Sequence, residues 1–363
     1  MNSTKKLFFV IILVLSISIV MTGCGNESSQ DTQNEVEAIK WRLVTHQMPG
    51  TSRYEDTILP FVEAVEEASG GRLIIEPYGS GVLFPVSETL ESVKSGVVEM
   101  SASWDGMWAG KDPVFALAGS LPADPIRTFS EHFYRVEKLE PILDKAYENY
   151  GVTYIGALDF GPLEILMSTK PIRSLDDFNG LNIRTAGIGG DFYTKLGASV
   201  ASIASNEIYT ALQLGTVDAA EYNDYIVNME MGFDEITDYV IEPVLHTGAL
   251  TDKSVTVNTN AWDELPDDLK AIVISALDVA KVESATAYEI GSLKAKSDFI
   301  SSGAEIIELP AQDVEKAKEV ASEVILEYSS KNELTKEYVD TYIEVLVELG
   351  YIDEAKNLGY TGN

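Results

Sequence analysis

Cysteine is almost absent from this chain. Cys24 is the only one in 363 residues, so no intrachain disulfide can form, and a lone thiol needs its own explanation. Histidine is nearly as scarce: His46, His132 and His246 share no metal-ligand spacing, which argues against a zinc-type centre. There is no Gly-x-Ser-x-Gly elbow and no Gly-Lys-Ser or Gly-Lys-Thr phosphate loop, so serine-hydrolase and nucleotide-cradle chemistry lack their usual supports. The glycine-rich run from Gly187 to Gly190 is not followed by lysine and reads as a flexible, ligand-facing loop at a helix start. Positive charge is the other deficit. The chain has 26 Lys and Arg against 58 Asp and Glu, a net charge of −32. Such a surface repels nucleic acid, and it repels anionic solutes at long range as well. Any anion site must therefore be made by local cations or by a metal. In so acidic a chain, no single pair of carboxylates stands out as a hydrolase pair.

What is present begins with an export signal. Lys5 and Lys6 precede the apolar stretch Leu7 to Met21, and Met21-Thr22-Gly23 brings small residues up to Cys24. The apolar stretch is short for a membrane span of about 20 residues. Residues 1–23 are expected to be a cleaved lipoprotein signal peptide. Cys24 then becomes the lipidated N-terminus, which accounts for the lone thiol, because two acyl chains suffice for stable anchoring. Residues 24–38 are polar and rich in Ser, Gln, Asn, Glu and Asp, as in a flexible lipid-anchored tether. The expected location is extracytoplasmic, at the membrane through this anchor.

From Lys40 the pattern becomes regular. Strand candidates at 40–45, 72–78 and 97–104 alternate with helices at 54–68 and 87–95, and a longer helix at 131–150 leads into a strand at 152–158. A second α/β run follows, with strands at 181–185, 198–203 and 216–222. The expected fold is α/β, with two lobes of the periplasmic-binding-protein type around a ligand cleft. Residues 39–160 and 250–290 are assigned to lobe I, and residues 161–249 and 291–363 to lobe II. A pattern from Pro266 to about Ser301, with Leu269, Ile272, Val273, Ala276, Leu277 and Ala280 on one face, predicts a helix roughly 50 Å long. That is long enough to span both lobes.

Several ordered segments resemble one family. They are Ser69-Gly-Gly-Arg-Leu73, Val93-Lys-Ser-Gly96, Ser103-Trp-Asp-Gly-Met-Trp108, Ser174-Leu-Asp-Asp-Phe-Asn-Gly-Leu-Asn-Ile-Arg184, Lys195-Leu-Gly-Ala198, the run from Asn206 to Glu221, and Ala261-Trp-Asp-Glu-Leu-Pro266. Together they are similar to the DctP-type solute receptors of tripartite ATP-independent periplasmic (TRAP) transporters, over most of the chain beyond the tether. Glu221-Tyr222 resembles the branch that binds 2-oxo and 2-hydroxy acids. The resemblance implies capture of a small organic acid, delivery to the TRAP membrane subunits, no catalysis, and a Ca²⁺ or Na⁺ between carboxylates and ligand. The sequence departs from the pattern at 160–169, where relatives carry a Gln or a second Arg. It also shows no metal-binding Glu near 246–252.

Arg184 is the first candidate for the site. It ends a short apolar strand, where open α/β sheets place ligands, and its guanidinium suits a carboxylate. The plainer alternative is an arginine in an exposed ion pair at a strand end, worth at most about 1 kcal/mol. Glu221 and Tyr222 end another strand at the same rim. Glu164 reads as a further metal oxygen, a partner for a ligand amine or hydroxyl, or a solvated loop charge. Glu221, Glu164 and the Tyr222 carbonyl form the implied metal set. Trp104, Trp108 and His46, at or after first-lobe strand ends, are candidates for covering the ligand. A receptor feeding a sensor kinase or chemoreceptor, and more remotely an extracellular hydrolase, are the rival readings. Removal of residues 1–24 is expected to leave a soluble, monomeric, cooperatively folded protein. Light scattering and thermal unfolding check this, and insolubility or partial unfolding would count against the boundary.

Overall fold

The computed structural model describes residues 37–162, 165–248 and 250–362. The expectations for the signal segment, for Cys24 and for Glu164 fall outside these residues. Among them, no helix is long and apolar enough to cross a membrane.

Among the described residues, eleven strands form two sheets. The first contains β1 (Ile39–Thr45), β2 (Leu73–Tyr78), β3 (Met100–Ser103), β4 (Val152–Pro162) and β10 (Leu250–Asn258), in the order β2-β1-β3-β10-β4. The second contains β5 (Leu166–Ser168), β6 (Asn182–Arg184), β7 (Ser199–Ala201), β8 (Ala219–Glu221), β9 (Tyr239–Glu242) and β11 (Glu305–Glu308), in the order β11-β9-β5-β8-β6-β7. In each sheet the neighbouring strands are parallel except around one returning strand. β10 runs antiparallel to β3 and β4, and β5 runs antiparallel to β8 and β9. The chain passes from the first sheet to the second after β4 and returns after β9. These are the two lobes expected from the alternating pattern.

Mostly parallel sheets need cover on both faces. On one face of the first sheet, Trp41, Leu43, Ile75, Val255 and Val257 pack with Phe61, Val62 and Val65 of the helix Leu59–Ser69. That helix stops at Gly70, whose left-handed φ of +64° favours glycine. On the other face, Val44, Val98 and Val152 meet Leu139, Ile142, Leu143 and Tyr147 of the helix Phe129–Glu148, which opens on a Thr128–Glu131 capping box.

The helix Asp267–Ser301 spans both lobes as expected. Its first half places Leu269, Val273 and Leu277 in the first-lobe core, and its last turns place Ala295 and Phe299 in the second-lobe core. Lys296 holds both carboxylate oxygens of Glu242, at 2.6 and 2.7 Å. The C-terminal segment departs from the assignment of 291–363 to lobe II. Tyr338, Val339, Tyr342 and Leu346 of the helix Glu333–Glu348 belong to the first-lobe core, and Tyr342 donates to Asp124 at 2.9 Å. Its amphipathic pattern declares a buried face and not a partner.

Beneath the first sheet, Asp105 is 2% exposed and accepts from the Tyr147 hydroxyl and, at 2.8 Å, from Ser254. Burial raises its pKa to about 7, although both hydroxyls work the other way. The folded protein therefore binds a proton here that the unfolded chain gives up near pH 4, so the stability Asp105 contributes is present at low pH and lost as pH rises to about 7. Asp105→Asn keeps an acceptor for Tyr147 and offers a donor to Ser254. The variant is expected to gain on wild type between pH 4.5 and 8, by up to about 4 kcal/mol, as read from urea unfolding at both ends.

Candidate ligand cleft

The two sheets present their carboxyl ends to each other, the location at which open α/β sheets bind ligands. On the second lobe, β6 and β8 are neighbours, and their last residues, Arg184 and Glu221, meet. Arg184 Nη1 donates to the Glu221 carbonyl and lies 3.3 Å from Glu221 Oε1, while Nε donates to Ile203 O at 3.1 Å. Among the described residues, no hydrogen bond from Nη2 is formed. The guanidinium carbon lies 5.7 Å from the Tyr222 ring. Glu221 Oε1 also accepts from the Ala186 backbone at 3.0 Å. Arg184 is 9% exposed and Glu221 3%, so the pair is buried, unlike the exposed strand-end pair of the plainer reading.

His246 completes this edge, and the sequence pattern did not single it out for the site. Its Nδ1 shares a hydrogen bond with the Tyr193 hydroxyl at 2.8 Å, and its Nε2 is 3.4 Å from Glu221 Oε2 without hydrogen-bond alignment. The available signal was positional. His246 lies in the stretch where the resemblance led one to expect a metal-binding carboxylate.

On the first lobe, His46 follows β1, Trp104 follows β3, Asp159 lies near the end of β4, and Lys253 lies near the start of β10. His46 is half-buried, and its Nδ1 has no hydrogen-bond partner among the described residues. Burial, then the nearby charges of Lys253 and Arg53, push its pKa down to about 3, so the ring is neutral at physiological pH. Trp104 donates from Nε1 to Gly119 O at 2.7 Å and reaches the second lobe, where its ring would stand 3.1 Å from a Cβ on Gly187. Trp108 is a correction to the expected site. It is 2% exposed inside the first-lobe core, with Phe115, Leu143 and Tyr342.

An unexpected ion triad joins the lobes. The β4–β10 register shifts between Thr251, opposite Gly161, and Lys253, opposite Leu158, so Asp159 and Phe160 face Asp252 alone. Such a bulge re-aims side chains. Here Asp159 takes a left-handed φ of +59° and accepts from Arg53 Nη1 at 2.9 Å and from Gln47 Nε2 at 2.7 Å. Burial raises the Asp159 pKa despite the Arg53 charge beside it. Arg53 Nη2 donates to Asp224 of the second lobe at 2.5 Å, and the guanidinium stacks 3.8 Å from the Tyr288 ring centre. Gly161 leaves the space, since a Cβ there would fall 2.1 Å from Arg53 Nη1.

A family model described as bacterial extracellular solute-binding protein, family 7 (DctP), matches residues 44–332. The chain belongs to this family. The DctP-family receptor is similar to the monocarboxylate 2-oxoacid-binding periplasmic protein of Nostoc sp. PCC 7120, at 25% identity over 91% of this chain and 90% of that one. A TRAP periplasmic solute-binding protein from Colwellia psychrerythraea, solved with calcium and pyruvate, superposes with a TM-score of 0.78 at 25% identity, covering 89% of this chain and all of that one. Another, from Pseudoalteromonas atlantica with sodium and pyruvate, gives 0.77 at 26% identity over the same shares, 89% and 100%. The chain is thus an extracytoplasmic solute receptor of the TRAP type.

Because the Arg184–Glu221 pair is buried, Arg184→Ala is expected to destabilise the ligand-free receptor by about 3–5 kcal/mol, not the 1 kcal/mol of an exposed pair. It should also abolish the ligand-induced rise in melting temperature. Arg184→Lys should restore much of the melting temperature and only part of the affinity. Calorimetry showing unchanged affinity in Arg184→Ala would make this arginine purely structural.

Proposed function

We propose that this receptor captures a small 2-oxo or 2-hydroxy carboxylate, pairs it with Arg184 beside a Ca²⁺ or Na⁺ held at Glu221, and hands it to the membrane subunits of a TRAP transporter. The observation that carries this reading is the buried Arg184–Glu221 pair at the carboxyl ends of adjacent strands. Arg184 brings a fixed positive charge to a place from which water is largely excluded, with Nη2 still to be matched. Its Nε and Nη1 are held by backbone carbonyls, so the guanidinium is oriented before any ligand arrives. Pre-orientation of this kind reduces the entropy lost on binding.

Glu221 presents a second problem, because its carboxylate repels an incoming acid. A hard cation with oxygen ligands offsets that repulsion, and the Glu221 carboxylate fits as one such ligand. Glu164 and the Tyr222 carbonyl are the proposed further oxygens. The calcium and sodium found with pyruvate in the Colwellia and Pseudoalteromonas relatives support this choice. When bound, the cation supplies charge bridging only. Tyr222 flanks Arg184, and Trp104 and neutral His46 form the opposing wall, which closes by movement about the lobe crossings. Binding without turnover and anchoring through diacylated Cys24 belong to the same proposal.

Mass spectrometry of solute released by denaturing the purified receptor is expected to yield a small carboxylic acid, which incubation with the protein leaves chemically unchanged. Exhaustive chelation in sodium-free buffer is expected to weaken its binding at least about tenfold, a loss of about 1.4 kcal/mol. Unchanged affinity under those conditions would remove the cation, and a released solute without an acidic group would remove the carboxylate.

A further inference from the structure

β4 closes one edge of the first sheet. Among the described residues β10 is its one ladder neighbour, so its other side presents backbone groups to whatever lies beside it. An open edge invites pairing with another chain, and proteins ordinarily blunt it with lysine, proline or a covering element. Part of β4 is covered in this way. The Phe160 amide donates to the Ser284 hydroxyl of the spanning helix at 3.0 Å, and Phe160 packs with Val136 and Ala285, where the two flanking helices come together. The stretch Tyr154-Ile155-Gly156 carries neither lysine nor proline and lines an open hollow instead. The ladder also shifts there: Gly156 pairs with Val255 and Tyr154 with Thr256, so Ile155 has no residue opposite it on β10. The extra residue of such a bulge is left unpaired by the ladder.

This edge forms the floor of a groove. The helix Phe129–Glu148 covers one face of the sheet and the spanning helix the other, and between them two adjoining hollows of about 400 and 520 Å³ run along β4. The two walls differ in character. On the first, Glu137, Glu140 and Asp144 are spaced three and four residues apart, and so share one face of their helix. Among the described residues none of the three is in an ion pair, whereas Lys138 and Lys145 of the same helix pair elsewhere, with Glu348 and Glu337. Glu140 accepts a long hydrogen bond, 3.4 Å, from the Tyr154 hydroxyl, and burial raises its pKa although Lys281 is near. The opposite wall presents Ile274 and Val282, and its acid, Asp278, is already matched by Lys281 at 3.1 Å. The groove is thus aliphatic along one side and carries unmatched negative charge along the other.

We infer that this groove receives an extended segment of a partner protein, added to β4 as a further strand, with basic and aliphatic residues in alternation. Successive side chains of a strand point to opposite faces of the sheet, so one set meets the carboxylates and the other the aliphatic wall. The spacing agrees. Alternate residues of a strand stand about 6.8 Å apart, and the four-residue step from Glu140 to Asp144 rises about 6 Å along the helix. Charge disfavours two other occupants. Residues 24–36 of this chain contain Glu27, Asp31 and Glu35 and no lysine or arginine. A second copy of the chain would bring two rows of the same carboxylates together. The groove lies on the first lobe alone, so this docking site goes beyond solute capture and does not depend on which solute is carried.

The test uses the full-length protein in mild detergent and a short capped peptide of alternating lysine and valine, labelled with fluorescein. Anisotropy is expected to show saturable binding of one peptide per receptor, and hydrogen exchange to slow at residues 154–156. Three changes should each weaken binding at least about tenfold. The first is methylation of alternate peptide amides, which blocks strand pairing and keeps the charge. The second is glutamate in place of the peptide's lysines, and the third is the double substitution Glu140→Gln with Asp144→Asn in the receptor. That variant should keep the melting temperature and solute affinity of wild type, and the methylated peptide decides the matter independently of any variant. Equal binding of the methylated peptide, equal binding by the double variant, or protection elsewhere with none at 154–156 would each replace strand addition by diffuse charge attraction. Failure of the peptide to bind would overturn the site outright. A mass that doubles with concentration in ultracentrifugation, and falls back when the peptide is added, would give the edge to a second copy and overturn the partner segment.

Discussion

The Arg53 guanidinium, held between Asp159 of the first lobe and Asp224 of the second, sets the geometry on which the cleft depends. All three groups are nearly inaccessible to water, and a buried triad of this kind is tolerable only when every charge has its partners in place. Several local features serve that requirement. The β4 bulge turns Asp159 inward at the cost of a left-handed backbone, Gly161 clears room for the guanidinium, and Asp224 is fixed because its other oxygen caps the helix Tyr225–Glu230 at 3.0 Å. Asp224 is close in sequence to Glu221, so the triad also sets how far the Arg184–Glu221 edge stands from the first lobe. Ion geometry at one end of the cleft thereby positions the Arg184–Glu221 edge along it.

A net charge of −32 would seem unsuited to catching anions, but the two facts operate at different ranges. Outside the cleft, the field of the acidic surface is screened within about 8 Å at physiological salt. Inside, the relevant charges are a few fixed cations in poorly solvated surroundings, where each ion–ion contact counts for far more than in water. The acidic surface disfavours nucleic acid, while the cleft carries its own local balance.

Much of this organisation is legible in sequence, because it is written in local patterns. Apolar runs locate β1, β2, β4, β6 and β8, all but the first opening soon after a glycine that stops the preceding helix or turn, and the long apolar face after Pro266 fixes the spanning helix almost to its last residue. Arg184 and Glu221 are legible because each ends a strand, and strand ends face the cleft in this kind of sheet. Arg53 is not, since a single arginine before a helix has no pattern, and its partners lie 106 and 171 residues away. Lys253 is hidden in Thr-Asp-Lys-Ser, which has the polarity of a loop and only becomes strand through pairing with β3 and β4. Trp108 misleads for the opposite reason. Its neighbour Trp104 does reach the second lobe, but helices some 230 residues later cover Trp108 itself, and short-range spacing carries no trace of them. The same blindness put the final helices on the wrong lobe.

The continuous helix from Asp267 to Ser301 constrains how such a receptor moves. Two strand crossings alone would let the lobes roll, slide and separate. A strut seated in both cores removes sliding and separation, because either would pull Leu277 or Phe299 out of its packing or break the helix ladder. What remains is bending along one shared axis, which helices accommodate gradually over many turns. The receptor behaves less like a pair of jaws on a loose pivot than like a book with a stiff spine, whose covers meet in the same register each time they close.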